Sequence, residues 1–146
     1  MSFLKDCEED QKLLIEYLRS VDEDFYIPLS NKVDLVSFST KLLKYGFVIC
    51  VNHGHIEGLL GGYANDLVNH TAYLSILSTL KDARGKGYAK QMLTDAIKYC
   101  KMCGMKKIIC DTVNPVALHV YKSVGFIMYK SEKIGNFQRE HLELNL

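Results

Sequence analysis

The chain has little that would break it, carry it through a membrane or charge it. Only two prolines occur in 146 residues, Pro28 and Pro115, and neither interrupts a periodic segment. No apolar run approaches the roughly 20 residues that span a bilayer, so no membrane partner is expected. The opening stretch, MSFLKDCEEDQ, is acidic and lacks the apolar centre of a secretory signal, and the sequence reads as cytoplasmic. A formal net charge of +1 leaves no basic footprint for nucleic acid. No repeat, linker or low-complexity stretch is present, and the length suits one domain, residues 1–146, around one core.

Five cysteines without a secretion signal read as reduced thiols. Cys50 and Cys110 sit in apolar, strand-like runs and read as small core residues. Cys100 and Cys103 form a C-x-x-C, but at the end of a helix, where the dipole raises thiol pKa values rather than lowering them. The HGH at residues 53–55 could join them in a zinc site only through a fortunate fold. Structural cysteines and no bound metal are therefore expected.

Apolar spacing then orders the chain. Leu14, Tyr17, Leu18 and Val21 mark a helix over residues 8–20, with Glu8, Glu9 and Asp10 at its start. PLSNKVDLVSFSTKLLKYG, residues 28–46, reads as a second helix that Gly46 can cap. FVICVN and IEGLLGGYA read as strands around a tight turn, and Gly61-Gly62 is compatible with a bulge or with plain strand. TAYLSILSTL is another strand after a polar loop. Ala89, Met92, Leu93, Ala96, Ile97 and Cys100 form one helical stripe. KKIICDTV is a short buried strand. NPVALHVYKSVGF begins a helix with Asn114 as N-cap and Pro115 in the first turn. FIMYKSEK and QREHLELNL close the chain as strands. The order α-α-β-β-β-α-β-α-β-β predicts an α/β (α+β) fold, a mixed sheet with helices on its faces, and a parallel crossover over residues 72–113.

Between the third strand and the long helix lies KDARGKGYAKQML. A helix N-terminus offers unpaired N–H groups and the positive end of a dipole. Gly85 and Gly87 would let a phosphate approach that backbone, and Arg84 and Lys86 add charge. A Walker loop is absent, and a dinucleotide fingerprint would need glycine where Lys90 stands. A plain turn and a phosphate cradle both fit these residues alone.

The six residues Arg84-Gly85-Lys86-Gly87-Tyr88-Ala89 read R-x-x-G-x-A. This resembles the [QR]-x-x-G-x-[GA] signature of the GNAT superfamily of N-acetyltransferases. The later segment N-x-x-A-x-x-x-Y-x-x-x-G-F, with Asn114, Ala117, Tyr121, Gly125 and Phe126, is similar to a second family block, and residues 47–146 match in order and kind. The resemblance implies a GNAT fold: a mixed, mostly antiparallel sheet of about six to seven strands flanked by about four helices, with a splayed parallel pair.

The same resemblance implies acetyl-CoA as co-substrate and a single acetyltransferase domain. Arg84, Gly85, Lys86, Gly87, Tyr88 and Ala89 would hold the pyrophosphate of coenzyme A. Leu77, Ser78 and Thr79 would hold the pantetheine arm through their main chain, and an N–H near Leu77 would meet the thioester oxygen. Asn114 would contact the same arm, and Tyr121 would protonate the departing thiolate. An amine would attack the thioester directly, so a base is needed for its proton. Asp66 and His70 are the first candidates, with Glu57 behind them, and Tyr63, Asn65 and Tyr73 are acceptor-pocket candidates. The implied acceptor is a small-molecule amine. The alternatives are a protein or peptide N-acetyltransferase, or a non-catalytic module that binds coenzyme A. Both monomer and homodimer fit.

Overall fold

A computed structural model describes all 146 residues. Its elements follow the expected order, with one addition. The chain opens with β1 (Ser2–Phe3), then α1 (Glu8–Val21), α2 (Leu35–Tyr45), β2 (Phe47–Asn52), β3 (Ile56–Tyr63) and β4 (Thr71–Thr79). There follow α3 (Tyr88–Met102), β5 (Lys107–Thr112), α4 (Pro115–Ser123), β6 (Ile127–Ile134) and β7 (Phe137–Asn145). Strand β1 was not expected. Two residues are too short for a period-two signal, and they are held by antiparallel pairing of Ser2 with Cys50 and Phe3 with Ile49.

Helix α2 is shorter than the sequence suggested. Pro28 leads into a single 3-10 turn, Leu29–Asn31, and the α-helix starts only after Asp34. There the Asp34 carboxylate accepts the Ser37 N–H at 2.9 Å, which satisfies one of the donors that a helix start leaves unpaired. Gly46 ends the helix in extended rather than left-handed backbone, with its N–H on the Leu42 carbonyl.

The seven strands form one sheet in the order β1-β2-β3-β4-β5-β7-β6, in which only β4 and β5 run parallel. Strand alternation divides the core between its faces. Phe47, Ile49 and Val51 of β2 pack with Met92, Leu93, Ala96 and Tyr121 on the α3/α4 side. Val48 and Cys50 pack with Leu14, Leu18 and Leu42 on the α1/α2 side. Cys50 and Cys110 are both buried core residues, as their surroundings in the sequence suggested.

An irregularity lies at the centre of the sheet. Between β3 and β4 the register runs Gly61↔Ile76 and then Gly62↔Leu74, which leaves Ser75 as an extra residue. A β-bulge of this kind bends its strand. Before it, Ala72 and Leu74 face the α3/α4 core; after it, Ile76 faces the opposite core. The glycines are needed here because a Cβ on Gly62 would lie 2.5 Å from the Tyr73 carbonyl oxygen, and one on Gly61 would lie 2.6 Å from Leu42 Cδ2.

Candidate active site

Pairing between β4 and β5 stops where the bulge begins. It covers Thr71↔Lys107, Ala72↔Ile108 and Tyr73↔Ile109, and beyond Tyr73 the two strands separate. β4 stays bonded to β3 as far as Thr79, while the end of β5 is bonded only to β7. The sheet thus opens a wedge between its two parallel strands.

The polarity of that wedge follows from strand geometry. The Leu80 N–H bonds to the Glu57 carbonyl at 2.9 Å, so in an antiparallel ladder Ser78 also turns its backbone toward β3. Leu77 and Thr79, one step out of phase, turn their N–H and C=O groups into the gap. The Arg84 Nε donates to the Thr79 carbonyl at 3.3 Å, drawing the guanidinium across the mouth of the wedge. The Ser78 hydroxyl meets the Tyr17 hydroxyl of α1 at 3.0 Å, so it braces the strand rather than reaching the gap.

The turn after β4 is a row of unspent donors. Arg84 N–H bonds to Lys81 and Gln91 N–H bonds to Gly87; between them, residues 85–90 give no N–H to a backbone carbonyl. Gly85 and Gly87 adopt φ of 81° and 80°, a left-handed backbone that side chains resist. A Cβ on either would meet nothing within 4 Å, so the space in front of these amides is open. With the α3 dipole behind them, these donors are arranged as a cradle that could receive an anion.

A hollow of about 400 Å³ fronts the cradle, walled by Leu77, Ser78, Thr79, Arg84, Gly85, Gly87, Tyr88, Ala89 and Asn114. Of the turn residues, Lys86 does not line it; its ammonium lies 5.9 Å from the Tyr88 ring centre. Asn114 Oδ1 accepts the Val116 N–H at 2.9 Å, capping α4 while the residue lines the wedge. A second hollow of about 650 Å³ continues past Leu77, Asn114 and Ala117 to Tyr121, Tyr73, Tyr63, Asp111 and Arg139. The segment Phe25–Lys41, which joins α1 to α2 and enters α2, supplies its outer wall.

Tyr121 is 4% exposed and looks into this second hollow. Burial, with Cys110 and the Asp111 carboxylate nearby, pushes its phenol well above the usual tyrosine value. It therefore keeps its proton at neutral pH and can donate it. Tyr73 is raised to about 12, first by burial and then by Asp111, to whose Oδ2 its hydroxyl donates at 3.4 Å.

The residues expected to act as base stand elsewhere. Asp66 and His70 lie in the β3–β4 loop and line neither hollow. His70 precedes Leu77 by seven residues, a rise of about 23 Å along an extended strand. The Asp66 carboxylate accepts the N–H groups of Asn69 and Val68, and these bonds, that of Asn69 foremost, hold it below the usual carboxylate range. That is a loop cap and a poor proton acceptor. Asn65 is likewise occupied, its Nδ2 on the Tyr45 carbonyl at 3.1 Å. Glu57 accepts from His53 at 2.7 Å on the far hairpin. No three His, Cys, Asp or Glu side chains are grouped so as to hold a metal ion, and all five cysteines are free.

Asp111 and Arg139 were missed in the sequence. Asp111 could have been found from its place at the carboxyl end of a parallel strand, where α/β sheets put their ligands. Arg139, on the last strand, carries no such signal.

Proteins of known structure share this fold. The family model described as Acetyltransferase (GNAT) family matches residues 11–126, and the chain belongs to that family. The acetyltransferase of the GNAT family from Streptococcus pneumoniae superposes with a TM-score of 0.80 at 18% identity, over 99% of each chain. The structure of yncA from Salmonella typhimurium with its cofactor acetyl-CoA gives 0.74 at 17% identity, over 99% of this chain and 93% of that one. The ribosomal-protein-alanine N-acetyltransferase from Brucella melitensis gives 0.75 at 18% identity over the whole of both. No curated protein sequence matches the chain. The protein is an acyltransferase.

Proposed function

We propose that the chain is one N-acetyltransferase domain that moves the acetyl group of acetyl-CoA to the primary amine of a small molecule. One observation carries this reading. The wedge between β4 and β5 joins the unspent amides of residues 85–90 at one end to the Tyr121 phenol at the other. A pyrophosphate seats on the turn, and the pantetheine arm runs along the unpaired edge of β4 past Leu77, Thr79 and Asn114. The acetyl-CoA seen in the Salmonella neighbour supports that cofactor.

The neutral amine then attacks the thioester carbonyl carbon. A C–N bond forms and the carbonyl oxygen gains charge, which the gap-facing N–H of Leu77 stabilises. As the intermediate collapses, the C–S bond breaks and Tyr121 protonates the thiolate. A free alkylamine has a pKa near ~10, so its proton must be removed. Asp111, directly or through a water, is the cleft carboxylate not spent on a helix cap.

The second reading, transfer to a protein N-terminus, draws on the Brucella neighbour, whose name gives a ribosomal protein as its acceptor. The side-chain-walled hollow under the Phe25–Lys41 segment favours a compact acceptor instead. Coenzyme A release measured against amine and peptide panels tests both, since turnover of peptides alone would reject the small-molecule reading. Tight acetyl-CoA binding with silence across both panels would leave only a binding module.

A further inference from the structure

The acceptor hollow contains a charged pair that is poorly satisfied by itself. Arg139, from β7, holds its Nε 3.7 Å from Asp111 Oδ1, too long for a hydrogen bond. That Nε is shut off from solvent and has no hydrogen-bond partner in the protein. The Asp111 carboxylate receives only the long Tyr73 contact of 3.4 Å on its other oxygen. Side chains here are about one quarter exposed, at 24% for Arg139 and 30% for Asp111. A half-buried guanidinium without its full set of acceptors is costly, and a ligand that completes it gains what the protein leaves unmade. Across the hollow, Lys32 and Lys41 have no carboxylate partner, whereas the Asp34 carboxylate is spent on capping α2. The rest of the wall is mostly apolar, with Phe25, Ile27 and Phe38 beside the hydroxyls of Ser37, Ser75 and Thr112.

We propose that the acceptor is an amine that also carries a carboxylate close to its nitrogen, an α-amino acid with an apolar side chain, with Asp111 facing the amine and Arg139 the carboxylate. This rests on the transferase reading above. The two protein charges lie side by side, as do the two charges of a free amino acid. The match is reciprocal: the amine is drawn toward the carboxylate that removes its proton, and the acid group meets the guanidinium that Asp111 leaves without a hydrogen bond. A decarboxylated analogue would leave the Arg139 guanidinium without an acceptor, and a carboxamide would offer it only a neutral one.

Initial rates of thiol release are measured with acetyl-CoA and the twenty free amino acids, each beside its carboxamide and the corresponding decarboxylated amine. At least one apolar amino acid should turn over, and its carboxamide should lose about 10- to 100-fold in kcat/KM, the range of one charge-assisted bond. Arg139→Gln should raise KM for that amino acid by a similar factor and leave KM for acetyl-CoA unchanged, while Arg139→Lys recovers part of the loss. Equal turnover of carboxamide and acid would overturn the inference, reduce Asp111–Arg139 to a structural pair and leave the transferase reading intact. So would turnover of uncharged amines or peptides alone. Silence with every amine, despite acetyl-CoA binding in calorimetry, would overturn the transferase reading and this inference together. The wild-type comparison stands even if an Arg139 variant folds poorly.

Discussion

The hydroxyl of Tyr17 lies 3.0 Å from the Oγ of Ser78, tying helix α1 to the one strand that has left its parallel neighbour. The phenol is 5% exposed, and burial lifts its pKa from 10.0 to about 12, against a smaller opposing effect of the Ser78 bond. Above pH 10 the unfolded chain releases this proton while the folded chain keeps it. Stability from this group is therefore complete below pH 10 and is lost as pH rises toward 12, by about 2–3 kcal/mol at most. Urea melts from pH 8 to 12 should show that decline, and Tyr17→Phe should flatten it. An equally steep decline in the variant would exclude Tyr17 as a source.

Gly87→Val should abolish binding of coenzyme A. The substitution forces a branched side chain to φ of 80° and places it where a phosphate would sit. Strain of this kind costs about 1–2 kcal/mol, so melting temperature is measured beside calorimetry. A folded variant with unchanged affinity would remove the turn from the binding site.

Tyr121→Phe should lower kcat by about 100-fold or more while acetyl-CoA affinity holds. Because the phenol titrates well above 10.0, turnover should rise with pH as the amine loses its proton, with no falling limb from Tyr121 below pH 10. A wild-type kcat in the variant, measured where chemistry limits the rate, would dismiss the phenol as the acid.

Thiol labelling offers a test that needs no substrate. Burial raises Cys100 and Cys110 to about 12, and raises Cys50 as well, so few thiolates form. Iodoacetamide at pH 8 should mark exposed Cys7 first and leave those three unmodified until the chain unfolds. Mass spectrometry of the native protein reads this directly, and early labelling of Cys110 would mean that the core beside Tyr121 is open.

Most of the fold was legible because its signals are local. The apolar stripes of α1 and α3, the Asn114-Pro115 start of α4 and the alternation of β7 each depend on residues a few places apart. The anion cradle was legible for the same reason, since two glycines and a helix start lie within six residues. The true start of α2 was harder, because Asp34 competes with the earlier proline turn and only the capping bond decides it. On the acceptor side, only Tyr63 and Tyr73 among the residues lining the hollow were within reach of the sequence. Asp111 and Arg139 come from strands joined across β5 and β7, and Phe25 arrives from a loop ahead of α2. Asp66 and His70 drew attention through side-chain chemistry alone, and chemistry without position does not make a base.

Ser75 adds a single unmatched link to its strand, and much of the enzyme's usefulness traces to that surplus. Deleting it would return β4 to step with its neighbours. The amide edge that should receive a thioester would still face β5, and the sheet could zip shut along it. Every ligand-facing side chain would still be present, yet the doorway would be gone.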